Sequence, residues 1–294
     1  MLDGRWVGMP HSRIVALCPA GVVTGGPEAL HQFVDSVNRQ GGTAAICYLP
    51  YTDQVPDAYR EYNVPTISET DITDDDLAVI PEIWPQRVSQ FKNAVLWWLS
   101  VDWAKPEALT CEPLYHLAQS FYAYSYLLSH KINPMMLTDY INPAFADRNG
   151  GRDPVVAVNP AKGKHLIEQF RMIAPDIELV ELAGYDRNGL VDVLNRTTVY
   201  VDFGHHPGRD RLPREAAICG NVVFVHDVGA GRAYADYAVN QQYRFHGDEL
   251  EKLADDVRHA ILYRDLHFAL QTEFRKTIAG QKELFDTLVR GFLW

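Results

Sequence analysis

The sequence is poor in several features that would settle its class at once. Its four cysteines, Cys18, Cys47, Cys111 and Cys219, stand far apart in or beside apolar runs. No CxxC pair and no Cys/His zinc spacing occurs, which excludes a disulfide scaffold or zinc module by pattern. Buried free thiols in a reducing compartment are expected instead. No run approaches the ~18 uncharged apolar residues of a membrane span; the longest candidate, residues 95–101, ends far sooner. Residues 1–12 are polar and lack the apolar core of a signal peptide, so they read as a loose arm and the expected location is cytoplasmic. Positive charge is scarce, with 27 Lys+Arg against 38 Asp+Glu and a net charge of −11. That balance argues against a surface that coats nucleic acid, which needs a basic stripe. No GxGxxG follows an apolar strand, which disfavours a nicotinamide site. No DxD-type pair stands at a strand end, and Asp74-Asp75-Asp76 reads as a solvated acidic turn, so no metal site is expected. Internal repeats and low-complexity tracts are also missing.

What is there is an ordinary soluble composition, 47% hydrophobic and 22% charged, over 294 residues. That length accommodates two domains. Residues 13–19 (RIVALCP) read as a buried strand, 20–27 (AGVVTGGP) as a glycine loop, 28–40 as a helix and 43–49 as a second strand. Leu30, Phe33, Val34 and Val37 share one face of that helix. This is a βαβ unit with Gly25 and Gly26 at the carboxyl end of its first strand, where open α/β sheets bind ligands. Further strands are expected at 78–80 and 94–100, with Asp102 just past the second, and a tyrosine-rich helix over 114–129. Residues 145–153 (FADRNGGRD) read as a linker. The α/β alternation then restarts, which gives domains over 1–148 and 149–294. The last segment, 266–294, reads as one long helix whose Phe274, Ile278, Phe285, Leu288 and Phe292 form a stripe. Packing against the first domain is expected of it, with a peripheral membrane surface as the alternative.

The most informative stretch is 199–225, VYVDFGHHPGRDRLPREAAICGNVVFV. Two short apolar strands flank a loop with two glycines, two histidines and three arginines, followed by a short helix that Gly220 ends. Strand, basic glycine loop and helix form the layout that holds an anion. Guanidinium forks and backbone N–H groups suit phosphate oxygens. The charge distribution sharpens this. Residues 1–150 carry 9 Lys+Arg and 17 Asp+Glu, whereas residues 151–294 carry 18 and 21. Basic residues are thus concentrated in the second half, which suits a small anionic ligand.

Two α/β modules joined by one linker predict two open sheets facing across a cleft, an architecture open to glycosyltransferases, epimerases, binding proteins and dehydrogenases. The second half resembles the nucleotide-sugar domain of GT-B glycosyltransferases of the family 4 type. The resemblance rests on Lys162-Gly163 and on Gly208, Glu215, Ala216, Cys219 and Gly220 at that family's offsets; Pro207 occupies the place of its first glutamate. The run NPAKG…GHHPGRDRLPREAA, with GGPE and WWLSVD upstream, is similar to bacterial polysaccharide-type members. The fold class implied is α/β with two Rossmann-like domains. The resemblance implies transfer of a sugar from a nucleoside-diphosphate sugar to a glycan or small-molecule hydroxyl, without a metal cofactor. The donor would meet Gly25, Gly26, Lys162, Gly163, Gly208, Arg211, Arg214 and Glu215. Lys162, Arg211 and Arg214 would face the diphosphate, and Glu215 the ribose. His205 or His206 would meet the sugar or leaving phosphate, and Asp102, with Asp139 second, would be the general base. The alternative function is a non-catalytic sugar-nucleotide or glycan binding protein of the same shape.

Overall fold

The computed structural model describes Ser12 to Leu293, so nearly all of the expected N-terminal arm lies outside the described residues, as does the Phe292 side chain. The chain forms two compact units. One runs through Tyr140 and resumes at Lys282; the other spans Ile141–Gln281.

The first unit contains β1 (Arg13–Pro19), α1 (Gly25–Arg39), β2 (Ala44–Leu49), β3 (Asp76–Pro81), β4 (Ala94–Trp98), β5 (Tyr115–Ala118), α2 (Phe121–Ser129) and β6 (Met135–Met136). They make one sheet in the order β2-β1-β3-β4-β5-β6, and every pairing in it is parallel. Parallel strands are covered on both faces, which explains the unbroken apolar runs. Side chains alternate between the faces accordingly. Ile14, Ala16 and Cys18 pack with Leu30, Phe33, Val34 and Val37 of α1. Val15 and Leu17 join the opposite core with Ala123 and Leu127 of α2.

The second unit contains β7 (Asp153–Val158), α3 (Lys164–Ile173), β8 (Leu179–Glu181), α4 (Arg187–Arg196), β9 (Thr197–Asp202), α5 (Leu212–Ile218), β10 (Val222–His226), β11 (Arg244–Phe245), α6 (Leu250–Leu262), α7 (Arg264–Leu270) and α8 (Thr272–Ala279). Its sheet has the order β11-β10-β9-β7-β8, again parallel. The chain then enters α9 (Gln281–Leu293), which places Phe285 and Val289 in the core of the first unit beside Tyr140.

Two expectations fail here. Residues 114–129 are not one helix. Tyr115–Ala118 forms β5 beside β4, and the helix starts only after Ser120, whose hydroxyl caps it by accepting from Ala123 N–H. The open flank of β4 outweighs local helix propensity, as tertiary context commonly does. The long final helix is broken as well, at Gln271 and Gly280. The amide of Gln271 donates to the Val223 carbonyl and accepts from Val223 N–H, at 2.9 and 3.0 Å. Tying that side chain to β10 turns the chain between α7 and α8.

Each sheet has one point where the connections reverse direction. In the first it lies between β1 and β3, in the second between β7 and β9. The crevice outside such a switch point is the standard ligand position of an open α/β sheet.

Candidate functional site

At the switch point of the second unit, the loops leaving β7 and β9 interlock. Gly163 has φ +66°, and a Cβ there would overlap the Phe203 carbonyl. A Cβ on Gly204 would stand 2.7 Å from Lys162 Cβ and 2.9 Å from Asp202 Oδ1. Only glycine lets the two backbones approach this closely. Asp202 shapes the second loop: its Oδ1 accepts from Gly204 N–H at 2.9 Å and its Oδ2 from the Tyr200 hydroxyl at 2.7 Å. Gly163 also caps α3 without a side-chain hydrogen bond. The N-terminus of a ten-residue helix therefore opens at the place where Lys162 sits, an arrangement suited to an anion.

Three charged groups meet behind these loops. Lys162 Nζ is 2.5 Å from Asp210 Oδ2, and His206 Nδ1 lies 3.1 Å from the same oxygen. The Lys162 side chain keeps about a third of its surface, whereas His206 has none. Burial works against a charged His206, but the carboxylates of Asp202 and Asp210 outweigh it and raise its pKa above the ordinary value. Burial likewise pulls Asp210 upward, and the His206 bond and Lys162 overcome it, holding the carboxyl below its usual range.

The arginines of this loop are largely buried. Arg214, expected to fork a phosphate, is wholly buried. Its guanidinium donates to the carbonyls of Arg209 and Asp210 and to Gln281 Oε1, at 2.7, 3.2 and 2.9 Å. Arg214 follows Pro213 in the first turn of α5 and braces the loop from inside. Arg209 is buried too, donating to the Asp236 carbonyl at 3.0 Å. Arg211 Nε lies 3.4 Å from Glu215 Oε1, with both side chains about one-tenth exposed. Gly208 is buried, and its carbonyl accepts from Asp210 N–H. His206, expected to touch substrate, is enclosed; His205 is the exposed histidine of the pair.

In the first unit, Gly25 and Gly26 are the opening residues of α1, past β1. A Cβ on Gly26 would meet Leu99 at an ordinary 3.6 Å, so protein neighbours do not demand glycine there. Asp102 is exposed in the loop after β4, and Asp139 is buried with Oδ1 accepting from Gln119 at 2.8 Å. Glu82, a residue the sequence reading passed over, directly follows β3 at the switch point. It is buried and accepts from Leu99 N–H at 3.0 Å. Burial pushes its pKa up to about 7, against the pull of that backbone bond. The criterion that singled out Asp102, a polar residue just past a strand, applies equally to Glu82. Among the described residues, no group of three or more metal-ligating side chains comes together, and no helix is long and apolar enough to cross a membrane.

No protein-family model matches the chain, and no curated protein matches its sequence. Solved structures do match in fold. Sucrose-phosphate synthase from Thermosynechococcus elongatus superposes with a TM-score of 0.69 at 11% identity, over 96% of this chain and 98% of that one. HepE from Anabaena, solved with UDP-glucose, gives 0.65 at 11% identity over 96% and 99%. WaaG, a glycosyltransferase involved in lipopolysaccharide biosynthesis, gives 0.58 at 10% identity over 95% and 100%. The two parallel-sheet units of this chain therefore have the GT-B fold.

Proposed function

We propose that the protein transfers a hexosyl group from a nucleoside-diphosphate sugar to an acceptor hydroxyl in glycan or polysaccharide synthesis. The observation that carries this reading is the interlock of Lys162-Gly163 with Gly204 at the switch point of the second sheet. It sets a part-exposed ammonium beside an uncapped helix N-terminus, in a fold whose solved examples include HepE with UDP-glucose. Backbone N–H groups and Lys162 take the diphosphate, and they bind it more strongly as charge builds on the departing oxygen. This positive end of α3 supplies the neutralisation, so transfer proceeds without a resident metal and EDTA leaves turnover unchanged. Transfer also needs a general base to take the proton of the acceptor hydroxyl. Glu82 joins Asp102 and Asp139 as a candidate for that role, because a base poised near pH ~7 is the efficient one.

Melting curves with UDP, GDP, CDP and dTDP test the donor site. One diphosphate should raise the melting temperature, since a ligand at a hundredfold excess over Kd stabilises the folded state by about 2.7 kcal/mol. Lys162→Ala should lose most of that shift. Failure of all four to act on the wild type would overturn the donor assignment. Release of the same diphosphate from its sugar donors, measured with a panel of glycan acceptors, separates a transferase from a binding protein.

A further inference from the structure

A lysine held 2.5 Å from a carboxylate is a poor anion receptor, because the pair carries no net charge. The second unit resolves this with a buried histidine. We propose that His206 and Asp210 are positioning residues acting through Lys162: Asp210 anchors the ammonium, and the imidazolium of His206 offsets Asp210, so that the Lys162 charge stays available to a phosphate oxygen. The proposal rests on the donor-site reading above.

The geometry supports each part. One oxygen, Asp210 Oδ2, receives both Lys162 Nζ and His206 Nδ1. The imidazole is fully enclosed, and its Nε2 has no hydrogen-bond partner, so its influence passes through Nδ1 and Asp210. Its surroundings favour the charged form. Asp202 faces it from the end of β9, Asp210 from its own loop, Lys162 from the loop after β7 and His226 from the end of β10. The Tyr237 ring lies 5.3 Å away, and the backbone of residues 229–231 packs against the imidazole. Of these groups, the two carboxylates favour protonation while Lys162 and His226 oppose it. The carbonyl of Asp210 also accepts from the Tyr237 hydroxyl and from Arg214, so the loop carrying the carboxylate is held on both sides.

With His206 protonated, the trio carries +1; His206→Gln brings it to zero; His206→Gln combined with Asp210→Asn restores +1. UDP affinity, measured calorimetrically from about pH 6 to 9, should weaken in the wild type as His206 loses its proton. His206→Gln should weaken binding about tenfold at the acid end, a step of ~1.4 kcal/mol, and abolish the alkaline limb. The double variant should recover most of the lost affinity, which a merely structural role for either residue does not predict. A His206→Gln profile that matches the wild type, or a double variant no better than the single one, overturns the proposal. No UDP binding by the wild type at any pH overturns the donor-site reading, and this proposal with it. If the variants fail to fold, the histidine signals of the wild-type protein decide. Saturating UDP should raise the His206 titration midpoint by linkage, and an unmoved midpoint overturns the proposal.

Discussion

At the scale of the residue, the site is governed by what cannot be enlarged and what cannot easily be charged. Gly163 and Gly204 leave no room for a methyl group, and Gly163 is also at a positive φ. Gly163→Ala should therefore destabilise the protein by ~1–3 kcal/mol in denaturant titrations and abolish the UDP-induced melting shift. Gly26→Ala should cost little stability, because its new methyl meets only ordinary contact. Loss of UDP binding in that variant would mark Gly26 as a ligand contact. Glu82 gives a pH signature. Its folded-state pKa of about 7 lies above the unfolded value of 4.5, so the folded state holds the extra proton between those values. Stability attributable to Glu82 is thus present at low pH and is lost as pH rises from about 4.5 through 7. Glu82→Gln removes the cost of ionising a buried carboxyl. It should be more stable than the wild type at pH ~8, by ~1–3 kcal/mol, and nearly equal at pH ~5. Equal stabilities at both pH values would refute the shift. Reduced turnover with an altered pH profile in the same variant would identify Glu82 as the base.

At the scale of the element, tertiary pairing overrode local pattern in two places. Tyr115–Ala118 carries no strong alternation, and pairing with β4 on one side and β6 on the other makes it a strand. The end of the chain carries a helical stripe from 266 onward, yet it is cut into α7, α8 and α9. The cut at Gln271 follows from the edge of the second sheet. β11 reaches only Val225 and His226, and the Gln271 amide serves Val223 near the start of β10. Gln271→Ala leaves a buried N–H and carbonyl without those bonds and should cost ~2–4 kcal/mol, read by chemical denaturation. A loss under ~0.5 kcal/mol would mean that water or a neighbouring side chain replaces the amide. The short helix α5 illustrates the reverse case. A short helix ended by Gly220 is legible in the sequence, but the inward turn of Arg214 is not, because guanidinium direction depends on carbonyls that loop closure supplies.

At the scale of the whole molecule, the last helix connects the second unit back to the first, where Phe285 and Val289 complete a core that includes Trp97. Among the described residues the tryptophans are Trp84, Trp97, Trp98 and Trp103, all in the first unit, so their emission reports on it. Phe285→Ala should shift the tryptophan-detected unfolding transition by ~3–5 kcal/mol, the usual cost of emptying a buried phenylalanine site. A shift confined to far-UV signals would contradict the place of Phe285 in that core. The class of fold is legible in the amino-acid sequence. Continuous apolar runs such as RIVALCP and VVFVH, separated by glycine loops and amphipathic helices, permit little besides stacked parallel α/β units, because strands covered on both faces need that pattern. It also marked Lys162-Gly163 and the loop after β9 as one chemistry, since glycine and basic residues past strand ends are locally legible. Tertiary packing sets which charges face outward. It buried His206 and Arg214, paired Lys162 with an Asp210 that sequence reasoning had passed over, and brought Glu82 to the edge of the first sheet. Those outcomes depend on dielectric and partner geometry, which arise only when distant segments pack together.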